Sequence, residues 1–352
     1  MSVILAVIVV VSLLWLLRNH WRVRRFFARA RLGRYRPKDS DVKRHHLLLA
    51  ADGRALELPP YFKWKESMLV PVRDQGKCAS CWAFAVADSL ADRVSLRTGG
   101  RSCNSLSVQE LLSCLGNGVF DCSRGGIPEL THPYIKSHGI SREIDYPYEN
   151  LKGGAVDECQ ANTSVLDYVF QSSSRADRKK DRVFASRGTP ALCLDLSGVP
   201  KGSALYQKRL AFNIRNMKAE IYNHGPIVGT MYVHRDLYKY DGKSVYQHAP
   251  DSPLMGGHAI EIFGWSDEGV NTKEPGFQKA YWVCRNSWGV KWPKTLPYGL
   301  MYIRMGVNES GIESRASSIE PLLNSDDRRL AASSVPEAVS YSSYEDYHSD
   351  PG

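Results

Sequence analysis

The spacing of hydrophobic and polar positions changes along this chain. Residues 82–96 are helix-forming with apolar side chains at helical intervals, which predicts a helix, and residues 106–114 predict a second, capped helix. Later in the chain, polar and apolar residues alternate in 259–263 and again in 281–285, which predicts two strands. We therefore expect a helical first part and a second part rich in β-strand.

The first apolar run occupies residues 3–17 and ends before a group of arginines. A secretory signal peptide carries its basic residues before the apolar core and a small-residue cleavage site after it, and this run has neither. We interpret residues 1–20 as an uncleaved transmembrane anchor that binds the membrane through residues 3–17. Because fifteen residues are few for a span, a core helix is the alternative.

The formal charge of +9 has a local origin. Nine basic residues and no acidic one lie between Arg18 and Lys38, which accounts for the whole excess, so we expect no nucleic-acid partner. Residues 21–57 are interpreted as a basic juxtamembrane linker with a short pro-like segment. Residues 160–208 are polar and predict a surface insertion. The tail, 322–352, lacks apolar periodicity and is predicted to be disordered.

The side of the membrane that the main domain faces stays open at this point. The arginines would hold the following chain on the cytoplasmic face. The cysteine spacing, by contrast, suits disulfides, which persist in oxidising compartments, and Asn162 and Asn308 begin glycosylation sequons. The two signals therefore predict opposite sides.

Cys81 is the candidate nucleophile. It lies at the start of the predicted helix 82–96, with Ser80 as the N-cap, so free backbone N–H groups and the helix dipole favour its thiolate form. The amide of Gln75, six residues upstream, can point at a developing oxyanion. The alternative, in which Cys78 and Cys81 form a redox or zinc pair, lacks a second ligand pair at zinc spacing.

Attack of a thiolate on an amide also requires a general base, and an acid for the leaving amine. His258 can serve as both, because it starts a predicted strand after two glycines, where its ring is expected to be exposed at a domain edge. Asn286 can accept the other ring N–H and fix the tautomer, and Trp288 would shield that bond from water. The chemistry requires no metal and no cofactor.

These segments resemble, in the same order, the motifs of the papain family of cysteine proteases and of its cathepsin B-like members. The resemblance covers residues 58–321; in the nucleophile segment, Ala79 replaces a glycine of the family signature. It implies an α+β, papain-like fold with a helical left lobe, a β-barrel-like right lobe and the active-site cleft between them. It also implies a cysteine-type endopeptidase that acts on protein or peptide substrates, and we expect a monomer.

The resemblance further implies two disulfides. Cys78 would pair with Cys122, and Cys114 would pair with either Cys159 or Cys193. Cys284 is interpreted as a small buried hydrophobe.

Substrate-binding positions follow from the same resemblance, and they are Gly125, Gly126, Ile127, Pro128, Thr230, Ala259 and Arg315. The two glycines would let a substrate strand approach the backbone closely. Arg315 stands where cathepsin B has a glutamate that lets it accept arginine. We therefore expect the second subsite of this chain to disfavour basic side chains and to tolerate acidic ones.

Cathepsin B also acts as a carboxy-dipeptidase through a loop with two adjacent histidines. Residues 160–208 contain no histidine, so that activity is not expected by the same means. Two other function classes compete with an endopeptidase: a catalytically silent papain-like domain that binds a partner, and a membrane-surface adaptor built on the arginines. The occupation of all four catalytic positions favours the enzyme.

Overall fold

The structure is a computed structural model. It describes residues 58–100, 104–116, 120–160, 182–186, 191–270, 275–295, 298–323 and 338–339. The predicted membrane anchor (1–20), the linker (21–57) and most of the predicted tail lie outside the described residues. Within the described ranges, no helix is both long enough and apolar enough to cross a bilayer.

Four α-helices lie within these ranges: α1 (Cys81–Arg97), α2 (Val108–Gly116), α3 (His132–His138) and α4 (Ala204–His224). α1 is buried on almost all sides, as expected of a central helix, and packs against the long strand β4 (Leu254–Ser266). The helices predicted at 82–96 and 106–114 are thereby confirmed. α4 takes up the end of the predicted surface insertion, and its first turn is capped by Ser203, whose hydroxyl accepts a hydrogen bond from the backbone N–H of Tyr206.

Seven strands form one antiparallel sheet: β1 (Tyr61–Trp64), β3 (Ile227–His234), β4, β5 (Tyr281–Arg285), β6 (Leu300–Arg304), β7 (Ala316–Ser317) and β9 (Ala338–Val339). Their order is β6-β5-β4-β1-β9, with β3 pairing with both β4 and β7. A separate two-stranded sheet joins β2 (Phe184–Ala185) to β8 (Pro321–Leu322). The α+β class is as predicted, whereas the described strands leave the sheet open rather than closed into a barrel.

Burial in the sheet differs from the alternating pattern that predicted its strands. β5 is buried at every residue, and β4 is buried from His258 to Ser266. Glu261 and Arg285 lie opposite each other across the β4–β5 pair, so their side chains meet inside the protein instead of facing water. The strands were therefore predicted correctly, but their polar residues point into the interior because α1 covers that face.

Candidate active site

The nucleophile candidate occupies the first turn of α1. Cys81 is the first residue of the helix, is half-buried and carries a free thiol. Ser80 holds the N-cap position, but its side chain makes no capping hydrogen bond. Its hydroxyl lies 2.8 Å from the hydroxyl of Tyr148, which in turn donates to the carbonyl of Gln75 at 2.8 Å. The expected side-chain cap is thus replaced by a hydroxyl chain that holds the loop before the helix.

The structure brings Cys81, His258 and Asn286 together. The Cys81 thiol is in hydrogen-bond contact with the imidazole of His258. On the other side of the ring, Nε2 of His258 lies 2.8 Å from Oδ1 of Asn286. Because that oxygen can only accept, Nε2 carries the proton and the other ring nitrogen, Nδ1, is left for the thiol.

Each partner shifts the pKa of the other. Desolvation alone would raise the pKa of Cys81, but the charge of His258 and hydrogen bonds from His258 and from the backbone of Ala259 and Trp82 outweigh it, so the pKa is lowered. Desolvation alone would lower the pKa of His258, yet the Cys81 charge and hydrogen bonds to Cys81 and Asn286 raise it. The arrangement therefore favours a thiolate–imidazolium pair.

His258 is more enclosed than its sequence context predicted. β4 begins four residues earlier, at Leu254, and His258 is 5% exposed, so the expectation of an exposed ring at a strand start is wrong. The centroid of the Trp288 ring lies 5.0 Å from that of the His258 ring, and the ring of Tyr238 stacks on Trp288 at 5.2 Å. Trp288 is therefore in the position from which it was predicted to shield the bond between His258 and Asn286.

Gln75 is anchored beside the nucleophile. Its amide Nε2 donates to the carbonyl of Cys78 at 2.8 Å, and its Oε1 accepts from the hydroxyl of Ser287 at 2.7 Å. The backbone N–H of Gln75 also donates to the carbonyl of Ser287. Since an amide nitrogen carries two hydrogens, one remains for a substrate oxygen.

Both disulfides implied by the sequence are present. Cys78 is bonded to Cys122 and Cys114 to Cys159. The open choice for Cys114 is thereby settled, because Cys193 is a free, buried thiol that lies 3.6 Å from the sulfur of Met217. Cys284 is free and fully buried, as expected.

Comparison with known proteins agrees with this geometry. Residues 58–319 match the family described as papain family cysteine proteases. The chain belongs to the papain family. Membership supports thiol peptidase chemistry on protein or peptide substrates.

Individual relatives cover most of this papain-family chain. A gut-specific cysteine proteinase of Caenorhabditis elegans is 31% identical, with 72% of this chain and 69% of the relative covered. Human tubulointerstitial nephritis antigen-like protein is 30% identical, with 81% of this chain and 59% of the relative covered. Among solved structures, procathepsin B S9 of Trypanosoma congolense has a TM-score of 0.58 at 24% identity, with 82% of this chain and 86% of that chain covered, which supports the fold.

The papain-family chain places its two candidate glycines beside α1. Gly125 has a φ of +69°, which side-chain-bearing residues rarely adopt. A Cβ atom at Gly126 would lie 2.5 Å from the indole of Trp82, so packing inside the protein already requires glycine there. Ile127 and Pro128 follow, and Pro128 opens a 3₁₀ turn that contacts α1.

Three further candidates meet at the edge of the sheet. Thr230 and Ala259 lie opposite each other across the β3–β4 pair. The backbone N–H of Thr230 donates to the carbonyl of Arg315 at 2.8 Å. The Arg315 side chain is half-buried and has no ion-pair partner among the described residues.

Sequence reasoning missed a charged cluster beneath the site, which consists of Asp92, Glu261 and Arg285. All three are buried, and the guanidinium of Arg285 contacts both carboxyl groups. Charged residues are almost never fully buried unless they are paired, so burial of any one of the three would have implied a partner, but the sequence alone does not show which charged residues are buried.

Proposed function

We propose that this chain is a thiol endopeptidase in which Cys81 is the nucleophile and His258 the general acid and base. The contact between the Cys81 thiol and the His258 imidazole is the observation that carries the proposal, because each group shifts the pKa of the other toward its charged form. Asn286 holds the far ring nitrogen and fixes the tautomer.

The steps follow from these positions. The Cys81 thiolate attacks the carbonyl carbon, and the resulting oxyanion accepts hydrogen bonds from the Cys81 backbone N–H and the second amide hydrogen of Gln75. The His258 imidazolium then donates its proton to the leaving amine as the C–N bond breaks, which leaves a thioester. Neutral His258 takes a proton from water, the hydroxide oxygen displaces the thiolate, and the acid product leaves with the ion pair restored.

Active-site labelling tests whether this is an enzyme or a silent binding domain. We expect an epoxide or vinyl-sulfone probe to label the wild-type chain and not Cys81→Ala. Cys193→Ala provides a matched control, because that thiol is buried in the core and should not be the labelled group. A chain that is neither labelled nor hydrolyses any peptide would instead be a binding module.

The mode of cleavage is the finer part of the proposal. Residues 160–208 contain no histidine, so this stretch lacks the pair of adjacent histidines with which cathepsin B acts as a carboxy-dipeptidase; its basic residues are lysines and arginines. We expect internally quenched peptides with a free or an amidated C-terminus to be cleaved at similar rates. Stepwise release of C-terminal dipeptides from the free acid alone would contradict an endopeptidase.

The second subsite is proposed to prefer apolar or acidic side chains over basic ones. Thr230, Ala259 and Arg315 lie together, and the guanidinium of Arg315 has no ion-pair partner within the described part of the chain. A positive charge there repels arginine. With fluorogenic substrates that differ only at that position, we expect kcat/KM for leucine and glutamate to exceed that for arginine, and Arg315→Glu to reverse the order. An arginine preference in the wild type would exclude this assignment.

We also propose that residues 3–17 attach the enzyme to a membrane and that the peptidase domain, as a monomer, faces an oxidising compartment. Two disulfides support that side over the cytosol. Protease protection in intact vesicles tests the topology. Glycosidase treatment is expected to change the gel mobility of the protein only through a glycan on Asn162. The amide of Asn308 already donates a hydrogen bond to the hydroxyl of Ser314 at 2.7 Å.

A further inference from the structure

A buried charged cluster underlies the candidate active site. The guanidinium of Arg285 contacts Oδ2 of Asp92, Oε2 of Glu261 and the carbonyl of Val70. Oδ1 of Asp92 also accepts a hydrogen bond from the backbone N–H of Val70 at 2.6 Å. The cluster therefore ties α1, β4, β5 and the loop before α1 to one another.

Each member of the cluster shares its segment with a proposed catalytic residue. The pairs are Asp92 with Cys81 in α1, Glu261 with His258 in β4, Arg285 with Asn286 at the end of β5, and Val70 with Gln75 in the loop before α1. The contacts of Arg285 thus join the four segments that carry the proposed catalytic residues.

Four buried polar atoms of this region have no hydrogen-bond partner among the described residues. They are Nδ2 of Asn286, Nε of Arg285 and both carboxyl oxygens of Glu261, of which Oε2 contacts the Arg285 guanidinium. Their residues line one small cavity of about 10 Å³, together with Ala85, Asp88, Ala259, Ile260 and Ser287. A cavity of roughly this size holds one water molecule, and buried polar groups are almost always paired.

We propose that one buried water molecule occupies this cavity and joins Asn286 to the charged cluster, with Glu261 acting as a positioning residue for the catalytic asparagine. The water accepts hydrogen bonds from Nδ2 of Asn286 and Nε of Arg285 and donates one to the Glu261 carboxyl group. It thereby holds the amide so that Oδ1 points at His258. The role of Glu261 rests on the proposed function; the water site does not.

The charges around the cavity favour a neutral Glu261. From α1, Asp88 and Asp92 face it, and from β5 it is faced by Arg285 and the thiol of Cys284. Desolvation raises the pKa of Glu261 well above its usual value, against the effect of Arg285, and raises the pKa of Asp92 to about 6. The negative charges of Asp92 and Asp88 also oppose ionisation of Glu261.

A crystal structure at about 1.5 Å resolution or better tests the water site directly. We expect one ordered water within hydrogen-bonding distance of Asn286 Nδ2 and Glu261. A dry cavity, or a protein group bonded to Asn286 Nδ2, would overturn the proposal. This readout does not depend on activity.

Kinetics test the positioning role. Glu261→Leu removes the group that accepts a hydrogen bond from the water. We expect kcat to fall at least tenfold and KM to change less than threefold. The alkaline limb of the kcat/KM profile should move at least 0.5 pH unit lower, because a less firmly held Asn286 stabilises the His258 imidazolium less. Glu261→Gln keeps a neutral acceptor and should recover most of the loss. Equal losses in both variants, or an unshifted limb, would refute the role.

Two further variants keep the test decisive. Should Glu261→Leu fail to fold, Ala85→Val fills the cavity from α1 and is expected to move the same limb. Leu210→Ala destabilises a small cluster in α4 and should lower stability without moving the limb. If the wild type is neither labelled nor active, the proposed function fails while an ordered water would still support the site.

Discussion

Cys81 and His258 lie where neither charge would be stable alone. Desolvation opposes the thiolate and opposes the imidazolium, so the charged pair exists only because the two groups face each other. Ionisation of the two groups is therefore coupled, and a pH profile reports on the pair. Asn286 enters this balance as the acceptor that stabilises the protonated ring.

Substitution of Asn286 tests that balance. The wild-type kcat/KM should be bell-shaped, with activity lost at low pH as the Cys81 thiolate is protonated and at high pH as His258 loses its proton. In Asn286→Ala the hydrogen bond that raises the pKa of His258 is gone, so the alkaline limb should move to lower pH. Steady-state rates from pH 4 to 10 provide the measurement, and an alkaline limb that stays in place would contradict the role of Asn286.

At the scale of elements, the strands could be predicted and their environment could not. The alternation of residues 259–263 correctly indicated a strand. Alternation also implies that one face of the sheet is exposed to solvent, but α1 packs on that face. Glu261 and Arg285 can be polar positions on a buried face because their side chains contact each other across two strands, which only the register reveals. The same burial explains why His258 is enclosed rather than exposed.

The buried carboxyl group of Glu261 has a measurable effect on stability. Because its pKa is raised in the folded state, the folded chain keeps a proton that the unfolded chain releases above its normal pKa. Its contribution is present below the unfolded pKa and is lost as pH rises, at up to about 1.4 kcal/mol per pH unit. We expect the free energy of unfolding to fall more steeply between pH 5 and 8 in the wild type than in Glu261→Gln.

Denaturant titrations at several pH values measure this difference. Asp121 gives the free energy of unfolding the opposite pH dependence, because its hydrogen bond with Arg124 lowers its pKa. Since Asp121 is present in both proteins, its contribution cancels when they are compared. Parallel pH dependences for wild type and Glu261→Gln would mean that Glu261 is ionised in the folded protein.

For the whole molecule, the family motifs predicted the fold class and the site residues together, because they lie in the same order along the chain. They left the partner of Cys114 open, because both Cys159 and Cys193 are downstream and spacing alone does not choose. Packing in the folded chain decides the partner of Cys114, because Cys193 lies in the core against Met217 and is not available for a disulfide with it. Such a contact is absent from any one-dimensional pattern.

The disulfide between Cys114 and Cys159 connects the compartment question to stability. It closes a loop across a sequence separation of 45 residues, and the loss of such a cross-link costs about 4 kcal/mol in the chain-entropy model. We expect the free energy of unfolding of the double variant Cys114→Ser, Cys159→Ser, measured by denaturant titration, to be lower than that of the wild type by about that amount. Cys193→Ala is the control, because it removes a thiol that belongs to no disulfide. Since a domain is stable by only about 5–15 kcal/mol, reduction of both bonds would remove much of its stability. A double variant as stable as the wild type would remove the structural reason for placing this domain outside the cytosol, and the arginines after residue 17 would then decide its side of the membrane.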